Sequence, residues 1–264
     1  MISVKNVHCV FNSGTVLENR ALRGISLDID EGEFLTVIGS NGAGKSTLLN
    51  VLSGEAPVTS GSVSIAGNDV TRWATHKRAN LTARVFQDPL VGTCEALSIE
   101  ENMALAAKRG QKRGMRLASS AAMRVQFKAE LSRLGLGVES RLGELMGLLS
   151  GGQRQSVSLI MASLAGSDIL LLDEHTSALD PASADFVLGL TDRIVREKRL
   201  TTLMVTHSMR LALSHGTRTI MLDGGKIILD IKGEERKSAT VDDLLTLFSK
   251  NRGKAIDHDA LLLA

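Results

Sequence analysis

The chain has 264 residues, 43% of them hydrophobic, enough for one large domain or two small lobes that share a core. Charged residues make up 23% and the formal net charge is +2, which exclude global disorder and leave no overall electrostatic footprint of a nucleic-acid protein. With six Phe, one Trp and no Tyr, base-stacking platforms are scarce, and the core falls to Leu, Ile, Val, Met and Ala.

Residues 1–33 read as strands. In Ile25-Ser26-Leu27-Asp28-Ile29-Asp30 the apolar residues alternate, the mark of a half-buried strand, and Asp30-Glu31-Gly32 marks a turn. Phe34 to Ile38 is a short apolar run, as expected for a strand buried on both faces. A glycine-rich loop follows, then a helix from Lys45 to about Ser53, with Gly54 as its stop. Residues 61–67 read as a strand. Arg84-Val85-Phe86 ends another at Gln87, and Pro89 blocks further regular structure. From about 98 to 147 the chain reads as helical.

Ile169-Leu170-Leu171-Leu172 is the next buried strand, residues 182–197 a helix, and Thr202 to Thr206 a strand ending at His207. Arg218 to Leu222, a Gly224-Gly225 turn and Lys226 to Ile231 form a hairpin. After residue 232 the charges are mixed, and the segment is either a partner-binding tail or a docked helix. The alternation of strands and helices predicts an α/β fold with a mostly parallel sheet, an N-terminal antiparallel β part and an inserted helical lobe over about 88–160. Cys9 and Cys94 match no metal or redox spacing and read as two buried reduced thiols. The N-terminus MISVKNVHCV lacks a basic region followed by an apolar run, and no run approaches the ~20 apolar residues of a membrane span. Any spanning part is therefore expected from another chain.

Gly39-Ser40-Asn41-Gly42-Ala43-Gly44-Lys45-Ser46 fits G-x-x-x-x-G-K-[ST] between a strand and a helix, the context of a phosphate-binding P-loop. Glycines let the backbone wrap phosphate oxygens while consecutive amides and the helix N-terminus donate to them. Lys45 supplies a full charge to the β and γ phosphates, Ser46 a hydroxyl ligand to Mg²⁺, and Thr47 a bond to a neighbouring phosphate oxygen. Asp173 and Glu174 follow the apolar strand at 169–172, so both carboxylates emerge at the sheet edge where ligands collect. Asp173 is placed to hold Mg²⁺ and Glu174 to polarise the attacking water.

Leu149-Ser150-Gly151-Gly152-Gln153 opens a helical stretch. Here the sequence resembles the ATP-binding-cassette (ABC) ATPases, whose signature is LSGGQ. The P-loop, Gln87, the signature, the acids 173–174, Ser177-Ala178-Leu179-Asp180 and His207 all occur in that family's order and spacing. The resemblance covers nearly the whole chain and implies an ATPase domain over 1–245, with 246–264 as a C-terminal tail. It implies two cassettes paired head to tail around two ATPs, each ATP lying between one copy's P-loop and the other's signature. Ser150, Gly151, Gly152 and Gln153 then meet the nucleotide across the seam, where Asp180 also sits. Gln87 senses Mg²⁺ or the attacking water, and His207 contacts the γ-phosphate. Phe11, the sole aromatic residue before Phe34, is expected either to stack on adenine or to pack within its strand. One departure stands out: where the family usually has Pro after the catalytic Glu, this chain has His175, either a local structural variant or a group that touches the reaction.

The same resemblance implies an ATPase subunit at the cytoplasmic face of a membrane, energising a separate permease. A soluble ABC ATPase acting on nucleic acid or ribosomes is the rival. Repair-type members insert a long coiled coil between P-loop and signature, and here Gly44 and Ser150 are about 100 residues apart. Phe11-Asn12-Ser13-Gly14-Thr15, Asp88-Pro89-Leu90-Val91-Gly92-Thr93 and Asp173-Glu174-His175-Thr176 resemble a bacterial subgroup paired with a permease and a lipid-anchored binding protein. That pairing implies import, with an amino acid such as tryptophan as the suggested solute and no nucleic-acid partner. From Asn102 to Ala129 every charged side chain is Lys or Arg. That stretch, Lys112 and Arg113 included, faces either anionic lipid headgroups, worth about 1 kcal/mol per basic residue, or plain solvent.

Overall fold

In the computed structural model, residues 1–111 and 119–252 are described. They fall into two compact units, one made of Met1–Arg78 with Arg199–Ala264, the other of Ala79–Lys198. The first unit starts with β1 (Ile2–Phe11), β2 (Asn19–Ile29), β3 (Phe34–Gly39), α1 (Lys45–Ser53), β4 (Ser60–Ile65), β5 (Asn68–Asp69) and the short α2 (Thr75–Arg78). The second holds β6 (Thr82–Val85), α3 (Ile99–Ala107), α4 (Ala121–Ser132), α5 (Gly151–Leu164), β7 (Ile169–Asp173) and α6 (Pro181–Lys198). The chain then re-enters the first unit as β8 (Thr201–Val205), α7 (Met209–Ser214), β9 (Arg218–Asp223), β10 (Lys226–Lys232), α8 (Gly233–Ser238) and α9 (Val241–Arg252).

The N-terminal sheet is antiparallel in the order β2-β1-β4-β5. In β2, Ile25, Leu27 and Ile29 are buried while Ser26 and Asp28 are exposed, the alternation that one solvated face requires. β3 is buried at every residue and pairs in parallel with β8 on one side and β9 on the other, while β10 adds an antiparallel edge through the hairpin at Gly224 and Gly225. In the second unit β6 and β7 are parallel, Thr82 opposite Ile169 through Val85 opposite Leu172. The expected α/β class, with an antiparallel N-terminal part, a mostly parallel sheet and added helices, is the architecture found.

Several local expectations are refined. The stretch read as helical from 98 to 147 breaks up: α3 starts in a Ser98–Glu101 capping box, α4 ends at Ser132, and only short 3₁₀ turns follow at Val138–Ser140 and Met146–Leu148. Gly135 and Gly137 carry φ of 66° and 72°, a left-handed backbone that no α-helix continues. Lys112 and Arg113 lie outside the described residues. Cys9 is buried as expected, but Cys94 is exposed. The C-terminal stretch forms the docked α9: its Leu244 and Phe248 are buried with Ile38, Met209, Met221 and Ile231, and residues 253–264 lie outside the described part.

One packing feature bears directly on the glycine loop before α1. Helix α1 ends at Gly54, whose φ of 83° stops it with an αL cap. The carbonyls of its last turn are orphans that need donors. Arg78, 1% exposed, supplies them: Nη1 donates to the carbonyls of Val51 and Leu52, while Nη2 donates to the carbonyl of Thr71, outside the helix, at 3.0 Å. Burial pulls its pKa below the usual guanidinium value, yet the group stays charged. Arg78→Met keeps the bulk and removes the donors, leaving these carbonyls unpaired. We expect a loss of about 3 kcal/mol in urea unfolding, measured as a lower midpoint with an unchanged slope.

Candidate nucleotide site

The predicted site residues divide between the two units. In the first, β3 runs out into the loop 40–44 and α1 begins at Lys45. The loop follows a path only glycine permits at two points. Gly39 has φ 149°, and a Cβ there would collide with the Leu222 carbonyl oxygen. Gly44 has φ 104°, and a Cβ would sit 2.7 Å from the Ala21 carbonyl oxygen. Ala43 donates its amide to the Ser40 carbonyl, and the Ala43 carbonyl accepts from Gly225, which stitches the loop to the β9–β10 turn.

Within this frame Lys45 is 5% exposed. Its Nζ donates to the carbonyls of Gly39 at 2.6 Å and Ser40 at 3.1 Å, and lies 3.5 Å from His207 Nδ1. Asn41, Gly42 and Ser46 are exposed and Thr47 is half-buried at the mouth of α1, whose N-cap, Gly44, brings no side chain to the helix start. Lys45 and His207, far apart in sequence, are thus brought together at one loop. Phe11 ends β1 opposite Asn19, half-buried, just before the loop that carries the exposed Val16 and Leu17.

In the second unit the parallel pairing of β6 and β7 brings Gln87 and the acids to the same end of two adjacent strands. Gln87 is exposed, two residues past β6. Asp173 is the last residue of β7, and Glu174, half-buried, follows with φ of 47°. A non-glycine residue there stores about 1–3 kcal/mol of strain and persists only where neighbours over-determine it. The Glu174 carbonyl accepts from both the amide and the hydroxyl of Ser177, at 3.0 and 2.9 Å. Asp173 Oδ2 accepts from Arg84 Nη2 at 2.6 Å, and the Arg84 guanidinium lies 4.7 Å over the Phe86 ring. Sequence reasoning missed Arg84. Its signal was a charged residue in an otherwise apolar short strand, which needs a partner to be buried.

The signature forms a helix start. Ser150 caps α5 in a reciprocal box with Gln153, each side chain accepting from the other residue's amide. Ser150 and Gly151 are exposed, and Gly152 and Gln153 are half-buried. A Cβ on Gly152 would come 2.6 Å from Ser183 Oγ, so the signature packs closely against α6. Arg154 donates to Glu95 Oε1 and to the carbonyls of Gly147 and Leu149, fixing the approach to the signature. Asp180 caps α6, and hydrogen bonds from the hydroxyl and amide of Ser183 hold its carboxyl below the usual range.

His175 points inward. It is 2% exposed, its Nε2 is 3.0 Å from Thr191 Oγ1, and its carbonyl accepts from Gln155 Nε2 at 2.7 Å. Since the single hydroxyl hydrogen of Thr191 goes to the Val187 carbonyl at 2.8 Å, His175 Nε2 is the donor toward Thr191.

Residues 22–177 match the family described as ABC transporter. The tyrosine transport ATP-binding protein of Clostridioides difficile (strain R20291) is 43% identical over 252 residues, 94% of this chain and 98% of that protein. The aliphatic sulfonates import ATP-binding protein SsuB 1 of Agrobacterium fabrum (strain C58) is 37% identical over 210 residues, 80% of this chain and 68% of that protein. Among solved structures, the dimeric post-hydrolysis state of the ATP-binding cassette MJ0796 bound to ADP and Pi aligns with a TM-score of 0.75 and 29% identity, over 88% of this chain and 98% of that one. The chain belongs to the ABC transporter family, as an ATP-binding cassette with ATPase activity.

The burial of His175 generates a prediction. Thr191→Val keeps the shape and removes the acceptor for Nε2. We expect a stability loss of about 1–2 kcal/mol in chemical unfolding with ATP turnover within about twofold of the native chain. A drop in turnover beyond about tenfold at full nucleotide binding would instead give the ring a part in the reaction.

Proposed function

We propose that this chain is the ATP-hydrolysing subunit of an importer, seated on the cytoplasmic face of a membrane against a separate permease. The observation that carries the reading is the Lys45 ammonium, held by the Gly39 and Ser40 carbonyls inside a glycine loop at the N-terminus of α1. In this reading Lys45 turns to the β and γ phosphates of ATP, and Asn41, Gly42, Ala43, Gly44, Ser46 and Thr47 line the phosphates with amides and hydroxyls. Phe11 packs against adenine.

Ser46, Gln87 and Asp173 offer a hydroxyl, an amide and a carboxylate oxygen, a hard-oxygen set that suits Mg²⁺ carried in with the nucleotide. When bound, that ion neutralises phosphate charge. Glu174 takes the proton of the attacking water while Lys45 and His207 stabilise the charge on the γ-phosphate. Ser150, Gly151, Gly152 and Gln153 from a second copy, with Asp180 at the seam, close over the nucleotide. The N-terminus of α5 adds its partial positive charge there. Loss of the γ-phosphate removes the bridge between copies, and the cycle drives the permease between states.

The near full-length similarity to a tyrosine transport ATP-binding protein supports transport of an amino acid, and the sulfonate relative's name supports import. An extracytoplasmic binding protein would deliver the solute. Among the described residues no helix is long and apolar enough to cross a membrane, so the permease is assigned to another chain.

Glu174→Gln tests the central assignment. It should bind ATP within about threefold of the native affinity, lose at least about 100-fold in turnover, and accumulate as ATP-loaded pairs by light scattering. Native turnover in this variant would remove Glu174 from the role of base.

A further inference from the structure

Helix α5 carries a second glutamine, two residues past Gln153, whose side chain does not reach toward the signature. Gln155 is fully buried. Its Nε2 donates to two backbone carbonyls, Phe86 at 3.0 Å and His175 at 2.7 Å. Both neighbours are acceptors, which fixes the orientation of the amide: a flipped Oε1 would face two carbonyl oxygens. Phe86 immediately precedes Gln87, and His175 immediately follows Glu174.

The β6–β7 ladder stops at Val85 and Leu172. Beyond that point the two strands share no further ladder bond, and both continuations carry a residue assigned to the hydrolytic step. Gln155 takes over where the ladder ends. One primary amide, using both of its hydrogens, ties the segment before Gln87 to the segment after Glu174 and anchors both to the signature helix. It also pulls on the carbonyl next to Glu174, the residue held at φ 47°, and so helps over-determine that strained conformation.

We propose that Gln155 is a positioning residue for hydrolysis: its amide holds Gln87 and Glu174 in register with each other and with the signature helix. The proposal rests on the assignment of Glu174 and Gln87 to the hydrolytic step. It makes Gln155 matter for turnover and not for nucleotide affinity, because the phosphate loop is built from other residues. A displacement of reacting groups by about 1 Å costs on the order of 100-fold in rate, so partial release of these two segments is expected to cost tenfold or more.

The test uses the full chain. Gln155→Met keeps the length and lacks both donors. Gln155→Glu keeps the shape and presents carboxylate oxygens to the two carbonyls. Val157→Ala, a fully buried position on the same helix with no polar role, is the packing control. Steady-state ATP hydrolysis is measured for each and normalised to the fraction of chains that bind a non-hydrolysable ATP analogue, so that any unfolded material is discounted. Both Gln155 variants should lose at least about tenfold in kcat with KM for ATP within about threefold, while the control keeps its kcat per binding site. Native kcat in Gln155→Met, or an equal loss in the control, overturns the proposal. So does failure of both Gln155 variants to bind any analogue, which would assign the residue to stability alone. Glu174→Gln is assayed alongside: if it is inactive and Gln155→Met is native-like, the positioning idea fails by itself, and if it hydrolyses normally, the underlying assignment falls and this proposal with it.

Discussion

A lysine ammonium shut almost entirely away from water organises the first unit. Removing such a charge from solvent costs several kcal/mol unless its donors are met, and the Gly39 and Ser40 carbonyls meet Lys45 at 2.6 and 3.1 Å. Those carbonyls can turn inward only because the loop leaves β3 at a glycine pressed against β9 and enters α1 at another pressed against β2. In the proposed reading a phosphate, a stronger, charged partner, takes over the same ammonium. The rest of the unit keeps that geometry fixed: β3 lies between β8 and β9, and Arg78 seals the far end of α1.

The second unit solves a different problem, that of holding several short exposed segments in one place. Gln87 and Glu174 sit just past the ends of β6 and β7, where the backbone ladder no longer restrains them, and the signature straddles the start of α5. Buried polar side chains restrain them instead. Arg84 holds Asp173, Arg154 holds the run-up to Ser150, and Gln155 reaches the flanks of both Gln87 and Glu174. A low-dielectric setting makes each of these bonds stronger and each broken one more costly, which rigidifies the surface they support.

The candidate site motifs were legible in the sequence because each depends on consecutive residues: the glycine loop with its Lys and Ser, the two acids after an apolar run, the five residues 149–153 that lead into α5. Strands such as β2 and β3 were legible from alternation and from continuous apolar runs. The supporting side chains were not, because their partners are remote in sequence. Arg84 finds Asp173 eighty-nine positions on, Gln155 finds Phe86 sixty-nine positions back, and Arg78 finds the carbonyl of Val51 at a separation of twenty-seven. Short elements also escaped: α7, six residues after the Ser208 cap, is too brief to show a helical period. His175 was open between two readings, and its burial against Thr191 accounts for it as a packed, hydrogen-bonded ring.

The claim on which the account stands is that the Lys45 ammonium is held ready for a triphosphate. Calorimetric titration of the native chain and of Lys45→Ala with ATP in the presence of Mg²⁺ measures it directly. Loss of a nearly buried, charge-assisted contact should weaken binding by at least about 100-fold, close to 3 kcal/mol, while the fold is retained by circular dichroism. Equal affinities for the two chains would contradict it.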